Sequence, residues 1–124
     1  MINGKKKRKF KRKLHKNKIE LYKDRPTVLY YVKINEFWKI GITLHEKYEK
    51  IEDSIISRFK LDINNGIKFE ILKGKIYEDG SEAYLKEQKI LFEFSEQQYN
   101  GDKFLIRHGE TEMFTRDIFG VNYK

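Results

Sequence analysis

The sequence predicts a small α/β (α+β) domain, in which a three-stranded antiparallel sheet is flanked by helices. Two runs rich in β-branched and aromatic residues meet at a short polar pair, a third alternating run follows, and two stretches carry apolar residues at helical spacing. The 124 residues suffice for one domain with a modest core. With Pro26, the only proline, as boundary, we expect a disordered or extended basic arm at residues 1–25 and the domain at residues 26–124.

The first two strands are predicted as a hairpin over residues 27–43 with Asn35-Glu36 as its turn. Counting outward from a two-residue turn, Tyr30 pairs with Gly41, and Lys39 lies on the same face. This register places the Tyr30 phenol and the Lys39 ammonium group next to Gly41, which has no side chain. The alternative is a half-buried hairpin whose tyrosines only pack.

A first helix is predicted after the hairpin. The spacing of Thr43 to Glu46 is that of a capping box and predicts the helix start. Ile51 and Phe59 then define an apolar stripe, and Arg58 falls within about 20° of Ile51 at 100° per residue. An arginine at that position either snorkels at the edge of the stripe or points into a site.

A third strand is predicted at residues 67–77, and a second helix runs from the capping residues near 79 to about 94. Glu87 lies in the middle of the apolar stripe of this helix. A carboxylate buried there without a partner costs several kcal/mol. We therefore expect a basic partner such as Arg58 or Lys39, or a divalent metal, and both alternatives stay open.

The C-terminal segment carries weaker signals. Residues 104–106 predict a short strand, residues 112–114 predict another extended piece or a helix start, and Ile118 and Phe119 are expected to cover the core.

The net charge of +8 resides in the N-terminal arm. Ten of the 27 Lys and Arg residues lie between positions 5 and 18 without one acidic residue, and the other 17 are outnumbered by the 19 acidic residues. Such a run stays disordered until it meets a polyanion, and its affinity for nucleic acid depends strongly on salt. A solubilising tail, a nuclear-localisation-like run and an anionic-membrane contact are the alternatives. The residues expected to bind nucleic acid are Lys5, Lys6, Lys7, Arg8, Lys9, Lys11, Arg12 and Lys13.

Composition excludes several classes of site. The absence of cysteine rules out a disulfide framework, a thiolate metal site and a cysteine nucleophile. No apolar run reaches membrane-spanning length, and the lysine-rich start lacks the apolar segment of a secretory signal. We expect a soluble cytoplasmic protein with no membrane partner, in the host cytoplasm if the chain is phage-encoded.

The order of these parts resembles the GIY-YIG nuclease superfamily, in particular the branch, common among phage proteins, whose second motif reads Lys-Ile-Gly. Residues 28–30 occupy the first motif and residues 39–41 the second. Arg58 and Glu87 match the arginine and the glutamate that the family carries on its helices. Residues 111–114 resemble the Thr-Glu-Trp-Phe signature of that branch. The resemblance covers residues 27 to 119, with the basic arm outside it.

The sequence departs from the family pattern at several positions. Val28 replaces the first glycine, Lys39 stands where most members have a second tyrosine, and Met113 replaces tryptophan. Asn122 is the candidate for an asparagine that some members place near the domain end.

The resemblance implies a metal-dependent DNA endonuclease with Tyr30, Lys39, Arg58 and Glu87 as catalytic residues. Glu87 would hold one Mg²⁺ or Mn²⁺, and Arg58 would clamp a phosphate oxygen. Tyr30 would orient the attacking water or accept its proton, the latter requiring a phenol pKa lowered from about 10 towards neutral. The positive charge of Lys39 would lower the pKa of this phenol, or Lys39 would contact the backbone. Gly41 would leave room for the phosphate to approach.

Two other functions stay open. A catalytically weak or inactive GIY-YIG-fold module would bind DNA or RNA through the arm and use Glu87 structurally. A partner-binding or assembly protein would explain the arm as a solubilising tail.

Overall fold

Three α-helices and a four-stranded antiparallel sheet make up residues 14–106 and 112–120, which the structure, a computed structural model, describes. This confirms the mixed α/β class, but the sheet has four strands instead of the predicted three, in the order β3-β1-β2-β4. The elements are α1 (Lys16–Tyr22), β1 (Thr27–Ile34), β2 (Phe37–Leu44), α2 (Ile51–Asn64), β3 (Phe69–Tyr77), α3 (Gly80–Glu93), a 3₁₀ turn (Ser95–Gln97) and β4 (Met113–Phe114).

The predicted hairpin register is confirmed. Tyr30 pairs with Gly41 across β1 and β2, and Asn35 lies in the two-residue turn. Asn35 adopts a φ of 55°, a left-handed conformation that asparagine tolerates better than most residues. Its amide side chain accepts a hydrogen bond from the Lys68 backbone N–H at 2.9 Å, which ties the turn to the entry of β3.

Helices cover both faces of the sheet, so β1, one of the two inner strands, is buried on both sides. Its even-numbered residues from Val28 to Ile34 pack against Ile55 and Phe59 of α2. On the opposite face, Tyr31 packs with Ile90 and Leu91 of α3. The inward stripes predicted for both helices are thus present.

The N-terminus of α3 was correctly predicted. Asp79 is its N-cap, and the carboxylate accepts hydrogen bonds from the backbone N–H of Ser81 at 3.1 Å and from the N–H of Asp24 at 3.0 Å. Backbone hydrogen bonds to this carboxylate hold its pKa below the ordinary aspartate value.

The predicted start of the first long helix was wrong. The capping-box residues Thr43 and Glu46 do not begin α2, because β2 continues to Leu44 and pairs with Thr27. The N–H of His45 then donates to the Pro26 carbonyl at 2.9 Å and extends the pairing. Cross-strand bonding therefore outcompetes the local cap, and α2 begins at Ile51 with no side-chain cap.

The fourth strand and its neighbourhood also differ from the prediction. Residues 104–106 form no strand; the Ile106 N–H instead donates to the Asp62 carboxylate at 2.8 Å, and Leu105 is buried. Residues 113–114 do extend, and they pair with Trp38 and Lys39 of β2. Ile118 and Phe119 pack on the core as expected.

Helix α1 lies within residues 1–25, which the sequence assigned to a disordered or extended arm. The helix contacts α3, and the backbone N–H of His15 donates to the Tyr84 hydroxyl at 3.1 Å. Residues 16–22 are therefore helical, which corrects that expectation for this part of the arm. Among the described residues, no helix combines the length and apolar composition needed to span a membrane.

Candidate functional site

A pocket of about 410 Å³ opens beside Gly41 and Ile42 of β2. In the described part of the chain, β4 pairs with Trp38 and Lys39 and stops before this point. Residues of all three helices line the opening. The lining residues are His15, Lys18, Tyr22, Tyr30, Gly41, Ile42, Arg58, Tyr84, Glu87, Gln88 and Glu112.

Four of the residues that the sequence singled out line this one pocket: Tyr30, Gly41, Arg58 and Glu87. Arg58 and Glu87 reach the pocket from opposite faces of the sheet, because α2 covers one face and α3 covers the other. Helical periodicity turned Arg58 and Glu87 inward, and both side chains line the same opening.

The phenol of Tyr30 lies directly over Gly41. A Cβ atom at position 41 would fall 2.5 Å from Cζ of the tyrosine and closer still to its oxygen, so only glycine fits beneath this ring. Phe59 holds the ring from the side in an edge contact with a centroid distance of 5.6 Å.

Burial dominates the chemistry of Tyr30. Desolvation raises its pKa well above the ordinary tyrosine value, and this effect exceeds the lowering by the Arg58 guanidinium. The carboxylates of Glu112 and Glu87 raise the pKa further. The phenol is therefore protonated at neutral pH and acts as a hydrogen-bond donor, which does not match the lowered pKa that a tyrosine base requires.

Glu87 is buried in the wall of the pocket, with 5% of its surface exposed. Its Oε1 accepts a hydrogen bond from Nε2 of Gln88 at 3.0 Å. The neighbouring amide thus holds the carboxylate at the opening, where Arg58 is a second lining residue.

Lys39 is the one predicted catalytic residue that does not line the pocket. Its side chain is buried, and Nζ forms an ion pair with Oε1 of Glu112 at 3.0 Å. The pairing of Lys39 with Met113 in the sheet brings the neighbouring Glu112 within reach of the ammonium group. Lys39 therefore joins β2 to the start of β4, and Glu112 is the member of the pair that borders the pocket.

The donor set fits a hard cation held by few protein ligands. Within residues 14–106 and 112–120, no cluster of three or more His, Asp or Glu side chains could hold a metal by itself. Mg²⁺ is commonly bound by one or two carboxylates together with water and substrate phosphate oxygens. Glu87 could supply such a carboxylate, whereas Glu112, on the same lining, is paired with the Lys39 ammonium group.

Several lining residues were missed by the sequence analysis. Tyr84 and Gln88 neighbour Glu87 on α3, and helical spacing already places Tyr84 one turn before it. Tyr22 reaches the pocket only because α1 packs on α3, which no local pattern indicates.

The eight basic residues between Lys5 and Lys13 lie outside the described residues, as do Thr111 and Asn122. No family model matches the chain, and comparison with curated proteins and with solved structures finds no match.

Proposed function

We propose that the protein is a metal-dependent DNA endonuclease that hydrolyses phosphodiester bonds and is anchored on DNA by its Lys/Arg-rich arm. The observation that carries the proposal is the shared pocket of Tyr30, Arg58 and Glu87, three residues from separate elements. A phenol, a guanidinium and a carboxylate at one opening can bind, orient and polarise a phosphodiester. Their order along the chain supports assignment to the GIY-YIG superfamily, in the branch with Lys-Ile-Gly as second motif.

Glu87 is the proposed metal ligand. Its carboxylate is buried yet borders the pocket, so it keeps a defined orientation towards an incoming ion. Mg²⁺ or Mn²⁺ bound there would stabilise the negative charge that develops on the phosphate and its leaving oxygen. The Gln88 amide fixes the rotamer of Glu87, as a hydrogen-bonded neighbour commonly does for a ligating carboxylate.

Arg58 binds the non-bridging oxygens of the scissile phosphate. Its planar guanidinium can donate two parallel hydrogen bonds, a geometry that lysine cannot reproduce. The Phe59 side chain next to it anchors α2 in the core, which restricts the backbone from which Arg58 extends.

Tyr30 orients the attacking water in this proposal. Its raised pKa keeps the phenolic hydrogen in place, so it donates a hydrogen bond instead of accepting a proton in the free protein. The phenolic oxygen lies against Gly41, and both residues line the pocket. The proton of the water then passes to solvent or to a phosphate oxygen.

The arm supplies affinity by neutralising phosphates and releasing counterions. His15 borders the pocket, and the chain from Lys5 to His15 spans at most roughly 35 Å. The arm therefore contacts DNA within about ten base pairs of the pocket. RNA is the alternative partner, because phosphate contacts do not distinguish the two.

The test is cleavage of supercoiled plasmid in Mg²⁺, in Mn²⁺ and in EDTA, comparing the wild-type protein with Glu87→Gln. Glu93→Gln is the matched control, because it removes an exposed carboxylate from the same helix. We expect metal-dependent nicking or linearisation that falls at least about 100-fold in Glu87→Gln and is unchanged in Glu93→Gln. Circular dichroism confirms that each variant is folded.

A catalytically weak or inactive nucleic-acid-binding module of the same fold is the second candidate. The raised pKa of Tyr30 favours it, because a protonated phenol contributes no base. An intact plasmid whose gel mobility shifts at low salt in every variant would support this module and refute the nuclease. The ion pair that engages Lys39 would then be the first feature to examine.

A further inference from the structure

Helix α1 forms one wall of the candidate site. His15 is its N-cap residue and lines the pocket. Lys18 and Tyr22 also line the pocket, and they share one helical face because they are four residues apart. No residue of α1 is fully buried, so the helix adds little to the hydrophobic core. The helix contacts α3, the helix that carries Glu87.

Polar contacts hold the chain at the end of α1 in one place. The backbone N–H of Gly80 donates to the Arg25 carbonyl at 2.9 Å, and the N–H of Asp24 donates to the Asp79 carboxylate at 3.0 Å. A Cβ atom on Gly80 would lie 2.8 Å from the carbonyl oxygen of Tyr22, so the backbone of α1 approaches α3 as closely as a glycine permits. Tyr22 is thus carried by a rigid junction.

The surroundings of the Tyr22 phenol are those of the reacting groups. Burial raises its pKa, the Glu87 carboxylate raises it further, and the Arg58 guanidinium lowers it. The phenol is half-buried and is protonated at neutral pH. Tyr22 lines the pocket together with Arg58 and Glu87, so its hydroxyl can donate a hydrogen bond to a group bound there.

We propose that Tyr22 is a substrate-contacting residue whose hydroxyl donates a hydrogen bond to an oxygen of the scissile phosphate, and that Lys18 contacts the adjacent phosphate of the same strand. The inference rests on the proposed function and extends it from the sheet to α1. One helical turn separates the two residues, a rise of about 6 Å, which is close to the spacing of successive phosphates along a strand. α1 would thereby connect the basic arm to the reaction centre.

The experiment measures kcat and KM for cleavage of a defined DNA duplex in Mg²⁺. Tyr22→Phe removes the hydroxyl and keeps the ring, and Tyr48→Phe, on an exposed tyrosine away from the pocket, is the control. We expect kcat/KM to fall about 10- to 100-fold in Tyr22→Phe and to stay unchanged in Tyr48→Phe. The thermal midpoint of Tyr22→Phe should remain close to wild type, because a structural defect would lower it.

Lys18→Gln gives a second test that does not depend on folding, since Lys18 is exposed. We expect its KM to rise about 3- to 10-fold and the salt dependence of binding to decrease by about one counterion. Wild-type cleavage that is matched by Tyr22→Phe and Lys18→Gln would overturn this inference and leave the nuclease intact. A wild-type protein that cuts no DNA would overturn both.

Discussion

Gly41 lies beneath the Tyr30 ring, and the two residues form a direct cross-strand pair. Gly41→Ala adds a Cβ atom 2.5 Å from Cζ and 2.9 Å from Cε1 of that ring. Real carbon atoms do not approach so closely, so the ring or the strand must move. Tyr30 is 1% exposed and Phe59 contacts its edge, which leaves the pocket as the direction of displacement.

Two effects set the magnitude. Forcing an extra methyl group into a packed region typically costs about 1–3 kcal/mol. Alanine also disfavours the unfolded state relative to glycine by roughly 0.5–1 kcal/mol, which offsets part of that cost. We therefore expect Gly41→Ala to lower the free energy of unfolding by about 1–2 kcal/mol, which corresponds to roughly 4–8 °C in thermal midpoint for a domain of this size.

Gly74→Ala is the matched control, because Gly74 pairs with Tyr30 from the other neighbouring strand. There the new Cβ would meet Cγ2 of Ile51 at 3.1 Å and Cδ1 of Ile55 at 3.4 Å, which are milder contacts than those at Gly41. Urea unfolding followed by circular dichroism should show a smaller loss in this variant. Plasmid cleavage should fall in Gly41→Ala, because the phenol leaves its position, and persist in Gly74→Ala.

A double-mutant cycle isolates the contact. In a Tyr30→Leu background the ring is absent, so adding Gly41→Ala should cost close to nothing. Equal stability of Gly41→Ala and Gly74→Ala would refute a clash between the added methyl group and the Tyr30 ring. The same holds if Gly41→Ala lowers the free energy of unfolding equally with and without the tyrosine ring.

Two further predictions concern charged groups. Lys39→Met keeps most of the side-chain volume but breaks the ion pair with Glu112, so it should lower the free energy of unfolding by about 1–3 kcal/mol, and adding Glu112→Gln should recover part of that loss because no carboxylate then lacks its cation; urea titrations compare the variants, and a Lys39→Met variant as stable as wild type would contradict a charge-pairing role. Asp79 has a lowered pKa, so its carboxylate contributes stability above the ordinary value of 3.8, and this contribution is lost as pH falls through the folded pKa. Asp79→Asn should therefore be less stable than wild type at pH 6 and approach it as the pH falls below 3.8 and through the lowered pKa, as measured by thermal midpoints; a difference that stays constant with pH would exclude the linkage.

Local rules were sufficient for the parts of the site that lie close together in sequence. A two-residue turn fixes which residues of the hairpin face each other, so the pairing of Tyr30 with Gly41 followed from counting. The 3.6-residue period likewise turned Arg58 and Glu87 towards the interior. Each of these predictions depends on residues within one hairpin or one helix, where the local backbone sets the geometry.

The wrong predictions arose where distant backbone groups competed with a local signal. Thr43 and Glu46 have the spacing of a capping box, but strand pairing with Thr27 uses the backbone through Leu44. Similarly, residues 104–106 were expected to form a strand, but the Ile106 N–H donates to the distant Asp62 carboxylate instead. Hydrogen bonds across long sequence separations decided both outcomes.

The sequence alone therefore determined the α/β class, the hairpin register and the inward direction of Arg58 and Glu87, because turn length and helical period are local properties. Only the tertiary structure brought those side chains to one opening, engaged Lys39 in an ion pair with Glu112, and added Tyr22 from α1. These contacts join residues far apart along the chain, and their formation depends on how helices and strands pack against one another.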